Sequence, residues 1–185
     1  MGSVSNYVVH HATCSVLVVQ GEQAALGENA KILVALDRSE QSEAVFMQAL
    51  AIARQNQARL MLFHCLPVEE RLDYFGEIYS EEFIQNSQAL KARIADQRDI
   101  DQEWLTQYSQ RAADVGVAAE WDLKIGGAGY TIREYARHWE ASLVVIGRRG
   151  HSGLKELILG SASNHVLHHA PCSVLIAQAA APASV

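Results

Sequence analysis

"LVVIGRRGHSGLKELILGSASNHVLHHAPCSVLIAQ", Leu143 to Gln178, passes from a wholly apolar run into a glycine-marked loop, a short amphipathic stretch and a second apolar run. Its glycines fall at Gly147, Gly150 and Gly160, and Ser161 follows the last of them. Glycines directly after a strand let the backbone approach a ligand closely and present successive N–H groups to it. Ser161 adds a hydroxyl where a helix begins, and the positive end of the helix dipole favours an anion there. By its physics this is a phosphate cradle. The same residues also suit a plain turn followed by an N-cap, and spacing alone does not separate the two readings. Arg148 and Arg149 could reach phosphates from this loop or stand in solvent.

The pattern repeats outward from that stretch. "KILVALD", Lys31 to Asp37, is a short apolar run of strand formers that leads into "DRSEQSEAVFMQALAIARQ", where Ser39 can cap a helix and Val45, Phe46, Ala49, Leu50 and Ala53 recur at helical spacing. "ARLMLFHCL", Ala58 to Leu66, is apolar without alternation, as a strand covered on both faces requires. From Pro67 to Val115 an irregular aromatic stretch precedes a long helical pattern, either one helix or a broken pair; its polar patch "DQRDID" reads as a solvated face. "VAAEWDLKIG", "YTIREYARHWE" and "ASLVVIG" read as strand, helix and strand. Such alternation predicts an α/β fold, a doubly wound parallel sheet with helices on both faces, whose ligand crevice lies beyond the carboxyl ends of the strands. Asp37, after a buried strand and before a helix, stands where that fold presents a polar group to a ligand, although capping its own helix is an alternative duty.

Composition excludes other classes. The 185 residues suit one domain of ordinary size, with 49% hydrophobic and 19% charged residues and a net charge of −6. No basic tract offers itself to phosphate backbones or anionic lipid, so neither nucleic acid nor membrane is an expected partner. Three cysteines, Cys14, Cys65 and Cys172, form no CxxC pair, which fits a reduced, cytoplasmic setting. His165, His168 and His169 share a helix face and could ligate a metal, but histidines in a last turn are favoured by the helix dipole without one, and no metal is expected. No paired carboxylates and no Ser, His and Asp arrangement suggest hydrolysis.

"VVIGRRGHSGLKELILGSASNHVLHHAPCSVLIA", with "KILVALDRSEQSEAVFMQALAIA" and "LMLFHC", resembles the universal stress protein family, and the GxxGx9G(S/T) spacing at Gly147, Gly150, Gly160 and Ser161 resembles its nucleotide-binding branch. The resemblance implies a five-stranded parallel sheet in the order 3-2-1-4-5, of the adenine nucleotide alpha hydrolase-like type, with ATP or AMP between the first and fourth strands. Mg2+ accompanying ATP, or a cyclic adenine nucleotide, falls within the same expectation. Carried over, Asp37 would accept from the ribose hydroxyls, and the backbone at Ala35, Leu36 and Cys65 would border the adenine. Gly147, Gly150, Gly160 and Ser161 would hold the phosphates, with Ser163 helping. Family members often carry Pro where Ala35 stands. The function implied is that of a stress-response regulator whose conformation or dimerisation follows the bound nucleotide. The alternatives are a weak ATPase or autophosphorylating enzyme with Ser161 or Ser163 as acceptor, and an interaction module with a vestigial site.

The chain also opens on what it nearly closes on. "GSVSNYVVHHATCSVLVVQ", Gly2 to Gln20, matches "GSASNHVLHHAPCSVLIAQ", Gly160 to Gln178, at thirteen of nineteen positions without a gap. In the family the second stretch makes the last helix and the edge strand, and edges of this kind are covered by pairing fifth strands across a dimer or across two halves of a tandem protein. Residues 1–22 therefore read as the remnant of a preceding domain, 23–30 as a linker, 31–178 as the family domain and 179–185 as a disordered tail. A strand at Cys14–Val19 is expected antiparallel to Cys172–Ala177, within one chain or between copies of a homodimer. Which protein partners respond is not legible.

Overall fold

The structure, a computed structural model, describes residues 2–20, 26–27, 29–67, 81–148 and 159–178. Gly150, Arg149, the expected tail at 179–185 and part of the expected linker at 23–30 lie outside the described residues. The elements run α1 (Ser3–His11), β1 (Val16–Val18), β2 (Lys31–Leu36), α2 (Gln41–Asn56), β3 (Arg59–Leu66), α3 (Glu81–Asp114), β4 (Ala119–Ile125), α4 (Ala128–His138), β5 (Leu143–Gly147), α5 (Ser161–His169) and β6 (Ser173–Ala177). They form an α/β fold around one six-stranded sheet ordered β1-β6-β5-β2-β3-β4. β2 to β6 are mutually parallel, and β1 alone is antiparallel. Numbered by themselves, the parallel strands stand in the order 3-2-1-4-5.

The central strands are continuous apolar runs because helices cover both faces. On β2, Ile32, Val34 and Leu36 face Val45, Phe46 and Ala49 of α2 and Leu105 and Tyr108 of α3. Leu33 and Ala35 face Ile132 of α4, Val166 and Leu167 of α5, and Val9 of α1. The strand order reverses between β2 and β5, so the connections after them diverge to opposite faces and leave a crevice at their carboxyl ends.

Three expectations are corrected or made definite. α3 is a single helix of 34 residues, neither broken nor wholly solvated at "DQRDID". Asp101, the last residue of that patch, is 0% exposed, because it stands three, four and seven residues before Trp104, Leu105 and Tyr108 and shares their inward face. Ser39 is not the N-cap of α2. The helix starts at Gln41 after Glu40, and Asp37 and Ser42 hold the turn that leads into it. Third, the strand pairing expected from the duplicated sequence is made within one chain, over Val16–Val18 and residues 174–176, so here β1 already covers the β6 edge that a homodimer would use. Among the described residues no helix is long and apolar enough to cross a membrane.

Candidate functional site

A cavity of about 340 Å³ opens at the reversal point. Its apolar wall comes from Ala35 and Leu36 of β2, Phe63 of β3, Val45 of α2, Ile132 of α4 and Ile146 of β5. That volume and an apolar lining with few polar groups are typical of a small-molecule pocket. The polar groups converge at one rim, where the first turns of α2 (Gln41, Ser42), α4 (Ala128) and α5 (Ala162, Ser163) all border the cavity. Three helix N-termini, each carrying the partial positive charge of its dipole, thus border one space. At α5 no side chain caps the start: Gly160 takes the N-cap position in extended backbone, and the first backbone bond runs from the Asn164 N–H to the Gly160 carbonyl at 2.8 Å.

Local hydrogen bonds set this rim. The Gly160 N–H donates to the Arg148 carbonyl at 2.9 Å, so the loop after β5 is tied at its base. The buried Ser163 hydroxyl donates to the Gly147 carbonyl at 2.7 Å and fixes α5 on the end of β5. At the end of β4, Gly126 has φ +151°, a conformation that favours glycine, and it turns the chain into Gly127, the N-cap of α4. Gly129 permits α4 and α5 to approach: a Cβ there would lie 2.8 Å from Cβ of His165 and 3.3 Å from Cα of Ala162.

Asp37 does not cap α2, whose N-cap position is Glu40 with no side-chain cap; one oxygen of its carboxylate holds the turn before the helix. Its Oδ1 accepts the Ser39 N–H at 3.0 Å and also the Ser39 hydroxyl, and the Ser42 hydroxyl lies 3.0 Å away. Ser42 in turn accepts the Asp37 N–H at 2.9 Å. Among the described residues nothing donates to Oδ2, and Asp37 lines the cavity. Across the cavity, the Cys65 thiol donates to the Gly126 carbonyl at 3.2 Å, and burial pushes it above the usual thiol range. It is a poor nucleophile at neutral pH.

Of the residues expected from sequence, Ala35, Leu36, Asp37, Cys65, Gly147 and Ser163 line this one cavity. Gly160 and Ser161 stand at the start of α5 beside it, with Ser161 exposed. Arg148 goes elsewhere. Its guanidinium donates to the Ala12 carbonyl at 2.8 Å and to the His10 carbonyl, at the carboxyl end of α1, and it is 5% exposed. The orphan carbonyls of a helix end attract a cation, and the sequence analysis had no partner for Arg148 because α1 is 136 residues distant along the chain.

Sequence reasoning missed a polar cluster behind the cavity. His64, which also lines it, has Nδ1 2.8 Å from the Leu36 carbonyl and Nε2 3.6 Å from Asp101 Oδ2. Arg38 Nε lies 2.9 Å from Asp101 Oδ1, and Gln97 donates to both oxygens at 3.1 and 3.2 Å. Both ring nitrogens of His64 therefore face acceptors. The signal was present in the spacing of Asp101 to Trp104, Leu105 and Tyr108, which places a carboxylate among core positions.

Residues 28–178 match the universal stress protein family. A universal stress protein of Synechocystis is 46% identical over 149 residues, covering 80% of this chain and 97% of that protein. A Pseudomonas aeruginosa structure of unknown function aligns with TM-score 0.69 at 20% identity, covering 97% of this chain but 57% of that longer one. A universal stress protein of Archaeoglobus fulgidus, solved in complex with dAMP, aligns with TM-score 0.53 at 20% identity over 80% of this chain and 98% of that one.

Proposed function

The chain belongs to the universal stress protein family, and we propose that it binds an adenine nucleotide, ATP or AMP, in the cavity between β2 and β5 and acts in the cytoplasm as a stress-response regulator. The observation that carries this reading is the convergence of three helix N-termini and the Asp37 carboxylate on one apolar cavity. A purine fits the apolar wall of Ala35, Leu36 and Phe63, beside Cys65. Oδ2 of Asp37 is an acceptor for a ribose hydroxyl. The N–H groups at the start of α5, with Gly147, Gly160 and Ser161, suit phosphate, and Gly150 completes the motif in sequence. A relative of the same fold, solved with dAMP, supports the ligand class. Among the described residues Asp37 is the lining carboxylate and its Oδ1 is already engaged, so Mg2+ accompanying ATP would be carried by the phosphates.

A regulatory rather than hydrolytic role is favoured by His64. Among the described residues it is the lining imidazole, and its two nitrogens are turned to the Leu36 carbonyl and to Asp101, so neither is presented to an attacking water in the cavity. The nucleotide would then act by shifting the conformation or assembly of the domain.

Gly160→Asp separates binding from folding. Gly160 has φ −61° and ψ 154°, which any residue adopts, and aspartate is a good N-cap, so the variant folds while its negative charge occupies the phosphate position. Titration calorimetry with ATP and AMP is expected to show one-site binding by the intact chain, weakened about 100-fold in the variant, equivalent to about 2.7 kcal/mol. Incubation with labelled ATP should give turnover no higher than the variant's; higher turnover would favour an ATPase.

A further inference from the structure

The pairing of β1 with β6 has a symmetry of its own. Shifted by 158 residues, Val16, Leu17 and Val18 correspond to Val174, Leu175 and Ile176. The observed register is Val16↔Ile176, Leu17↔Leu175 and Val18↔Val174, so exchanging each residue for its counterpart returns the same set of pairs. A local two-fold axis passes through the Leu17–Leu175 pair. The hydrogen bonds at the two ends obey it: the Gln178 N–H donates to the Ser15 hydroxyl at 3.0 Å, and the Gln20 N–H donates to the Ser173 hydroxyl at 3.2 Å. Ser15 and Gln20 are the counterparts of Ser173 and Gln178.

The preceding helices match as closely. α1 and α5 are both nine residues long, follow an extended glycine, and end at an extended alanine. The N–H of that alanine donates at 2.8 Å to the Val8 carbonyl in one and to the Val166 carbonyl in the other. Arg148 clamps the α1 carbonyls of His10 and Ala12, whose counterparts are His168 and Ala170. A contact in which each side presents the same patch is isologous, and it can be made as well by two identical chains.

We propose that residues 2–20 stand in for a second copy of this chain: they occupy in cis the place on β6 that fits the α5–β6 unit of another copy, and the two occupants compete. While the segment is docked, self-association through β6 is closed. When it leaves, β6 pairs with β6 of a second copy around Leu175, and Arg148 of each copy grips the carbonyls of His168 and Ala170 of the other. Effective concentration favours the tethered occupant, since a short linker holds it near the site at millimolar levels. This inference does not depend on nucleotide binding.

Two full-chain experiments test it by mass in sedimentation velocity. The double variant Val9→Asp/Val18→Pro alters only the N-terminal copy: Val9 is 1% exposed, and proline removes a ladder donor from β1. β6 is untouched. The intact chain is expected to sediment as a monomer and the double variant as a dimer, returning to monomer when a peptide of residues 2–20 is added. To guard against failure to fold, a protease site inserted within residues 21–28 is cut after folding. On dilution the freed segment should be lost and the remaining domain should double in mass. A folded variant and a cut, segment-free domain that both stay monomeric would overturn the proposal. So would an intact chain that is already a dimer with residues 2–20 exchanged between copies.

Discussion

Asp37 commits one carboxylate oxygen to the turn before α2 and leaves the other without a donor among the described residues, and the difference can be measured. Oδ1 holds Ser39 and Ser42 at the turn into α2, while Oδ2 has no donor among the described residues and Asp37 lines the cavity. Asp37→Asn keeps one oxygen to hold that turn, so its stability is expected to fall by less than about 0.5 kcal/mol while ATP affinity falls about tenfold, as loss of a hydrogen bond to a charged group implies. Asp37→Ala loses both oxygens, and the lost turn hydrogen bonds should cost about 1 kcal/mol in thermal unfolding besides. Cys65 offers a second readout. Burial holds its thiol above the usual range, so labelling by a thiol reagent should be slow at neutral pH and accelerate only as pH rises through that raised value. The exposed Cys14 provides the comparison, and ATP should slow Cys65 further. Equal Cys65 rates with and without saturating nucleotide would place the ligand elsewhere. Asp37, Gly147 and Gly160 were legible because strand, glycine and helix start follow one another along the chain. Ser42 and His64 were not, since their roles depend on Asp37 five residues away and on Leu36 28 residues away.

Elements meet at this site through two contacts that local pattern does not reveal. α3 reaches the ends of β2 and β3 through Asp101, the counter-charge of Arg38 and the neighbour of His64. Asp101→Ala would leave those groups without it and is expected to cost about 3 kcal/mol, near the lower end for a broken buried pair because Arg38 is about one-third exposed. For a chain of this size that is a fall in Tm of about 6–12 °C; a fall below about 2 °C would mean the cluster is not structurally required. α4 and α5 touch at Gly129, and Gly129→Ala must part their first turns, at an expected cost of about 1–3 kcal/mol together with weaker nucleotide binding. The strands were readable because a run buried on both faces has almost no polar residue in it. The inward carboxylate of α3 was not, because a polar patch on a helix is ordinarily its wet side and only the neighbouring core positions showed otherwise.

Across the molecule, one duplicated stretch serves two ends of the design. Its second copy, Gly160 to Gln178, supplies the uncapped start of α5 and the strand β6. The first copy repeats the helix and strand and covers the sheet edge. The repeat was plain in the sequence, but the symmetry of its register appears only once both copies are paired, since nothing in the repeat says whether they meet in one chain or in two. Arg148, one residue beyond Gly147, joins the two ends by fixing α1 to the base of the loop after β5. Arg148→Met is accordingly expected to loosen residues 2–20, seen as faster hydrogen exchange in α1, with a smaller effect on nucleotide affinity than Gly160→Asp. The expected changes in affinity presuppose a nucleotide at the reversal point of the sheet. The most direct measurement is calorimetric titration of the intact chain and Gly160→Asp with ATP and AMP. Saturable one-site binding that weakens about 100-fold in the variant is the expected result, and no binding at millimolar nucleotide, or equal affinity in the two proteins, would contradict it.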